Sequence, residues 1–425
     1  MTPILLITML IFFILTVPIA FSIGLASMIA LWWSGEIPLI VLVQRMFTSL
    51  DSFPLMAIPF FIIAGSLMES GGISKRLVHF ANTLAGAMTG GLAGVTVITS
   101  MFFAALSGSS PATVAAIGSI MIPAMVAKQY DVNFASAVQA VSGALGVIIP
   151  PSIPMILYGV VVGVSIGDLF IAGIIPGMLI GFSLILTAVI ISKRRGYKGV
   201  DSFTWRERWF AFKNAIFALL MPTIILGGIY GGIFTPTEAA VVAVFYALIV
   251  GLFIYKEIKI KDLVPILVKS GKTTAIIMLI IGNAGLLGWL LTRERIPQTV
   301  AQSFINFSDN PIVFLLIINM FLLIVGMFFE TSASVIILAP ILAPIAIQLG
   351  IDPIHFGIVM VVNLAIGMVT PPLGVNLFVA MQISNVRLEK ISKAALPFLF
   401  VLIFNVLLIS FVPEISTFLV DYFKK

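Results

Sequence analysis

Apolar stretches of about 15 to 20 residues follow one another along this chain without the polar alternation of a barrel strand, so each predicts a helix apolar on all faces. Pro3 to Trp33 reads as two short helices broken near Pro18, and Pro54 to Glu69 as a third, giving scaffold helices over 1–70. A hairpin is predicted over 90–127, an interrupted helix over 134–163 and a closing helix over 169–192. After a polar connector, 193–214, the order recurs. Ala215 to Tyr255 breaks near Pro236 and Thr273 to Leu291 follows, making scaffold helices over 215–292. A hairpin over 312–348, an interrupted helix over 355–384 and a closing helix over 396–412 complete it. Gln44 to Ser52 and Ser74 to Ala85 are amphipathic and predict arms lying in a membrane interface; the arm of the first half spans 74–85.

The two series are copies. Ala112 pairs with Ala333, Thr113 with Ser334, Val114 with Val335, Pro123 with Pro344, Gly146 with Gly367 and Pro150 with Pro371, always at an offset of 221 residues. The copies occupy 1–192 and 215–425. Ser/Thr/Gly/Pro breaks at matching places in apolar segments are the pattern of a secondary transporter, with its site where the breaks meet.

Composition agrees. With 60% hydrophobic and 9% charged residues, most segments could not remain in water, so the fold class is an all-α polytopic membrane protein. Met1 to Trp33 has no basic n-region or small-residue cleavage site and reads as membrane helix, not signal peptide. Cysteine is absent, which excludes disulfides and thiolate metal sites. The net charge of +6 would suggest nucleic acid in a soluble protein; here its placement gives topology, and no nucleic-acid partner is expected. With the connector in the cytoplasm, 18 of the 23 basic residues fall inside, Lys75, Arg76, Lys198 and Lys269 among them. Outside lie Arg45, Arg293, Arg295, Lys424 and Lys425. The same count makes the repeats inverted, puts both termini outside and aims the two re-entrant hairpins at each other near the bilayer midplane.

A hairpin that stops halfway leaves unpaired carbonyls and N–H groups, tolerable only where they line a polar cavity. In SGSSPAT, Gly108 permits the reversal, Ser110 can cap the returning helix and Pro111 suits its first turn. The expected Na⁺ cages comprise Ser107, Ser109, Ser110, Gly146 and Pro150 in the first half and Glu330, Thr331, Gly367 and Thr370 in the second, partly through backbone oxygens. An anionic solute is expected between them, against helix N-termini and Ser110, Thr113, Ser152, Ser332, Ser334, Gly374 and Asn376. No Lys or Arg lies deep in a segment, so a carboxylate must rely on helix ends, bound Na⁺ and a cation near a mouth. Sodium is favoured over protons because only Glu238 and Glu330 approach titratable membrane positions. Each has a plainer reading: Glu330 as a tip residue bonded to backbone N–H groups, and Glu238, in TPTEAA, as a helix-start residue. Ser, Thr and Gly also serve helix packing, but their recurrence at a fixed offset argues for a site. His79 and His355 lack partners in sequence, which speaks against metal binding or catalysis.

LDSFPLMAIPFFIIAGSLMESGGISKRL (Leu50 to Leu77), SGSSPATVAAIGSIMIPAM, GVIIPPSIPMILYG, GGIYGGIFTPTEAA (Gly227 to Ala240) and GMVTPPLGVNLF (Gly367 to Phe378) resemble the large membrane subunit of tripartite ATP-independent periplasmic (TRAP) transporters. The resemblance covers essentially the whole chain. It implies a Na⁺-coupled, elevator-type importer in a bacterial inner membrane, with both termini periplasmic on the topology above. It also implies two or more coupling Na⁺ ions, a small four-helix membrane subunit as a separate polypeptide, and a periplasmic substrate-binding protein delivering a carboxylated solute such as a C4-dicarboxylate, a sialic acid or another sugar acid. In the expected mechanism hairpins and interrupted helices form the mobile unit, with membrane lipid around it. A stand-alone sodium/carboxylate symporter or antiporter is the alternative. A membrane enzyme is disfavoured, because the chain has no HExxH and no paired intramembrane Asp.

Overall fold

A computed structural model describes residues 1–35, 37–197, 199, 203–308 and 310–424. Lys198 and Lys425, counted above for topology, lie outside the described residues, as does part of the connector. Among the described residues there is no strand, and ten helical segments are long and apolar enough to cross a membrane.

The first half runs through helices Thr2–Ile14 and Ile19–Ser34, the amphipathic Ile40–Leu50, and a short 3₁₀ turn, Phe53–Met56, leading into Ala57–Ser70. The arm Ile73–Ala85 precedes a hairpin of Gly91–Ser107 and Ser110–Ala127. The interrupted helix comprises Val132–Gly143, Leu145–Ile148 and Ile153–Val162, and Ile166–Arg194 closes the half. The second half has Trp205–Tyr230, Pro236–Ile249 with a π turn, and a 34-residue helix, Ile260–Arg293. Then come Ile296–Phe307, the hairpin Pro311–Phe328 and Thr331–Gln348, the interrupted pair Pro353–Gly367 and Val375–Ser384, and Leu388–Phe411. A final helix, Glu414–Phe423, was not anticipated from the sequence.

Two differences from the sequence expectation have physical reasons. The segment expected over Thr273 to Leu291 begins at Ile260, so Lys269 and Lys272 stand on a helix and not in a loop. In the first half Pro54 interrupts the same span, whereas 221 residues later the chain carries Ala275, which lets the helix run through. Ile296–Phe307, at the repeat offset from Ile73–Ala85, is a second arm that the sequence reading missed.

Packing exchanges elements between halves. Ile19–Ser34 lies on Ile260–Arg293, while its counterpart Pro236–Ile249 lies on Ala57–Ser70. Ile153–Val162 packs on the second hairpin's returning helix, and Val375–Ser384 on the first's. The interrupted helix of the second half crosses its own hairpin backbone to backbone. A Cβ on Gly367 would come within 2.5 Å of the Gly326 Cα. We therefore expect Gly367→Ala to cost about 1–3 kcal/mol of stability through overpacking. Gly271→Ala, at a helix position with open space around it, should be neutral or slightly stabilising. Thermal melts of the two full-length variants in detergent provide the comparison, and equal melting temperatures would refute it.

Candidate functional site

The first hairpin reverses over two residues. Gly108 ends the entering helix at φ 59°, a left-handed conformation, and Ser109 is extended before the returning helix starts. Pro111 stands in the first turn of that helix. The second hairpin reverses through extended Phe329 and Glu330, so no glycine is required there. The Glu330 carboxylate accepts from the Ser332 and Ala333 N–H groups at 2.8 and 3.2 Å and from the Ser332 hydroxyl at 3.0 Å. That is the N-cap arrangement, formed here by a glutamate carboxyl group. Glu238 likewise closes a capping box with Thr235.

Each break is tied to its own hairpin by a corresponding bond. The Ile153 N–H donates to the Gly108 carbonyl at 3.4 Å, and the Gly374 N–H to the Met327 carbonyl at 3.1 Å. Residues 153 and 374 are repeat equivalents, and both acceptors sit where an entering helix runs out of intrahelical partners. Pro150–Pro151 and Pro371–Pro372 are both cis.

Around the first tip, oxygens converge. The Ser107 hydroxyl lies 2.9 Å from that of Thr113, which donates to the Ser109 carbonyl at 2.8 Å. A Cβ on Gly146 would fall 2.5 Å from both the Ser109 carbonyl oxygen and Thr113 Oγ1, so only glycine leaves this nest open. The donor set is neutral, hard and oxygen-only, which fits a cation such as Na⁺. Among the described residues, no group of three or more His, Cys, Asp or Glu side chains offers a transition-metal site.

The second set is less concentrated. Ser334 donates to the Glu330 carbonyl at 3.0 Å, Thr331 to the Met368 sulfur at 3.0 Å and Thr370 to the Ile366 carbonyl at 2.7 Å. Gly374 has φ 62°, and a Cβ there would fall 3.0 and 3.1 Å from the Met368 and Thr370 carbonyl oxygens.

Ser110 departs from the role expected for it. Ser109 holds the cap position without a side-chain bond, and Ser110, fully buried, turns away from the N–H groups. Its hydroxyl donates to the Gly143 carbonyl at 2.9 Å and accepts from Asn376 Nδ2 at 2.7 Å. Those two groups are buried, and their demand for a partner outweighs that of a helix end. Asn376 comes from the other half of the chain, so this pair stitches the repeats together. The equivalent crossing places Thr331 and Met155 at the matching positions, and no polar stitch forms between them.

Both tips open on one cavity of about 400 Å³. Ser107, Gly108, Ser109, Glu330 and Ser332 line it from the hairpins; Ile62, Ser66 and Glu69 of Ala57–Ser70 and Lys269, Thr273, Ile276 and Ile280 of Ile260–Arg293 line it from the scaffold. Ser110, Thr113, Ser152, Ser334, Gly374 and Asn376, expected at the solute, do not line it. Ser152 instead donates to the Val147 carbonyl at 2.6 Å within its own break. The sequence reading missed the second wall. Lys269 and Thr273, one helical turn apart and followed by isoleucines on the same face, were its signal, though such a pattern also marks an ordinary span end. Lys269 pairs with Glu69 at 3.2 Å, and both remain partly exposed.

Paired re-entrant hairpins meeting interrupted helices over a shared cavity inside an apolar helical body define a membrane transporter of inverted-repeat architecture. A solved structure of similar fold is that of the Alcanivorax borkumensis YdaH transporter, described as having an unusual topology; it matches at TM-score 0.56 and 14% identity over 87% of this chain and 86% of that one.

The profile of the family described as "Tripartite ATP-independent periplasmic transporter, DctM component" matches residues 6–415, and the chain belongs to that family. It is 47% identical to the isethionate TRAP transporter permease protein DctMQ of Oleidesulfovibrio alaskensis, over 96% of this chain and 64% of that protein. It is 44% identical to the C4-dicarboxylate TRAP transporter large permease protein DctM of Vibrio cholerae, over 96% of this chain and 94% of that one. It is a multi-pass membrane protein of the large-permease type.

Proposed function

We propose that this chain is the permease subunit of a Na⁺-coupled importer of small organic anions in a bacterial inner membrane. A small four-helix membrane subunit and a periplasmic binding protein would complete the system, and the positive-inside bias would put both termini on the periplasmic side. The observation that carries the reading is the shared cavity. Its volume suits a small ligand, and its hairpin wall presents the start of the second returning helix. Its scaffold wall adds a lysine at the end where the basic connector side lies.

In mechanism, Na⁺ held by Ser107, Ser109, Thr113 and the Gly146 backbone would neutralise the carbonyl ends of the first tip and fix its shape. The second tip would do the same around Glu330. The solute's carboxylate would then meet the N–H groups at the start of Thr331–Gln348, Ser332 and the bound cations. The hairpins and interrupted helices would move as a body against the isoleucine-lined scaffold face, an elevator step. In this arrangement the Lys269 mouth faces the cytoplasm.

Uptake of labelled solutes into proteoliposomes, with and without a Na⁺ gradient and with and without the two partners, tests the reading. Sodium-independent uptake would refute coupling, and full uptake by the chain alone would favour a stand-alone symporter. A C4-dicarboxylate, a sialic acid and a sulfonate belong in the panel. The sulfonate has its own support, since the relative at 47% identity is named for isethionate.

Lys269→Gln gives a separate prediction. Because the Lys269–Glu69 pair is partly exposed, its loss should cost under about 1 kcal/mol of stability. The apparent KM for a dianion should rise roughly tenfold, about one lost charge-assisted contact, while that for a monoanion changes little. Equal effects on both would show that Lys269 does not read the second charge.

A further inference from the structure

Away from the hairpins, two adjoining cavities of about 510 and 400 Å³ flank the arm Ile73–Ala85 where it meets the start of Trp205–Tyr230, and His79 and Lys213 line both. Lys75, Arg76, Arg206 and Lys213 bring cations to this groove, beside His79. The two acids there are engaged. Glu257 pairs with Arg76 at 3.3 Å, and Glu207 accepts from the Thr204 backbone N–H at 2.7 Å. Arg76 also lies 3.8 Å over the Tyr255 ring. Lys75, Arg206 and Lys213 have no carboxylate partner among the described residues, so the groove carries uncompensated positive charge.

Its walls are not those of a soluble-anion site. Phe203, Trp209 and Phe210 line it, with Trp209 51% and Phe210 63% exposed. The helix that carries the latter two enters the apolar body just beyond Lys213. Exposed aromatics beside unpaired cations, at the point where a helix enters the bilayer, suit a ligand with an anionic head and an apolar tail.

We propose that this groove binds an anionic phospholipid. Lys75, Arg206 and Lys213 surround its phosphate, and Phe203, Trp209 and Phe210 lie along the glycerol and upper acyl chains. The lipid then bridges the arm, which links to the first hairpin, and the scaffold helix behind it. Lipid charge thereby sets how firmly the arm is held, a control separate from the solute cavity.

Native mass spectrometry of the full-length chain from phosphatidylglycerol-containing nanodiscs, against phosphatidylcholine nanodiscs, tests this. Retention of phosphatidylglycerol is expected in the wild type and should fall at least roughly tenfold in K75Q/R206Q/K213Q, three surface cations being removed. K390Q/K393Q removes two lysines exposed on another helix, Leu388–Phe411, and this variant should retain the lipid. If the triple variant does not fold, R206Q alone, at an exposed position, should show a smaller loss in the same direction. Unchanged retention in the triple variant, or equal loss in K390Q/K393Q, would overturn the proposal. So would competition by inorganic phosphate at the lipid's own concentration, which would mark a soluble-anion site.

Discussion

Replacing Glu330 by alanine is expected to abolish sodium-dependent uptake while the protein still inserts and assembles. The carboxylate holds two backbone N–H groups and a hydroxyl at the second tip, at 2.8 to 3.2 Å. A buried group left without its partner costs about 1–3 kcal/mol, so losing these three bonds should lower transport by roughly 100-fold or more. Two conservative variants separate the possible reasons. Asparagine is among the best N-cap residues and would preserve the turn at little cost in stability. Should Glu330→Asn melt like the wild type and yet need at least about tenfold more Na⁺ for half-maximal uptake, an ion-linked role follows, since one lost charge-assisted contact is of that size. Should it transport with unchanged Na⁺ dependence, the residue is a helix cap and no more. Glu330→Gln, which retains length and loses charge, is expected to behave as Asn does in its Na⁺ response.

Ser110→Ala is expected to have the second-largest effect, and by another route. The variant strands the buried Gly143 carbonyl and leaves the buried Asn376 Nδ2 with only the Ala140 carbonyl, at 3.2 Å, and a buried group left unmatched costs about 1–3 kcal/mol. Melting should fall accordingly, and uptake by roughly tenfold or more as the two halves lose their polar stitch. In a double-mutant cycle with Asn376→Leu, the stability losses should be less than additive, because the second change removes one of the stranded groups. Additive losses would mean that Ser110 and Asn376 do not act as a pair. Uptake should remain low in the double variant even where stability recovers, since leucine cannot restore a bond across the repeats.

Much of the site could be read from sequence for a definite reason. Polar breaks inside apolar spans are costly in a membrane, so SGSSPAT, the paired prolines and Glu330 stood out against their surroundings, and the offset of 221 residues matched them in pairs. The nest at Ser107, Ser109, Thr113 and Gly146 is built from residues within a short span plus one break. The second arm was missed because Ile296–Phe307 follows so soon after a long helix that its amphipathic pattern merges with that helix's end. Lys269 was read only as a topological charge. Nothing local distinguishes a lysine on a cavity wall from one at a membrane edge.

Sequence by itself determined the solvent, the helices, the repeat and the places where those helices must stop, because the free energy of putting backbone and charge into hydrocarbon is a local property of each segment. Only the tertiary structure decided which breaks meet. Ser110 finds Asn376 across 266 residues while its repeat equivalent, Thr331, turns to a methionine sulfur. The cavity likewise takes one wall from the hairpins and the other from the scaffold. Those choices rest on packing between distant segments, where the small volume of Gly146 or Gly367 and the unmet bond of a single buried amide select one arrangement among many that the linear pattern allows equally.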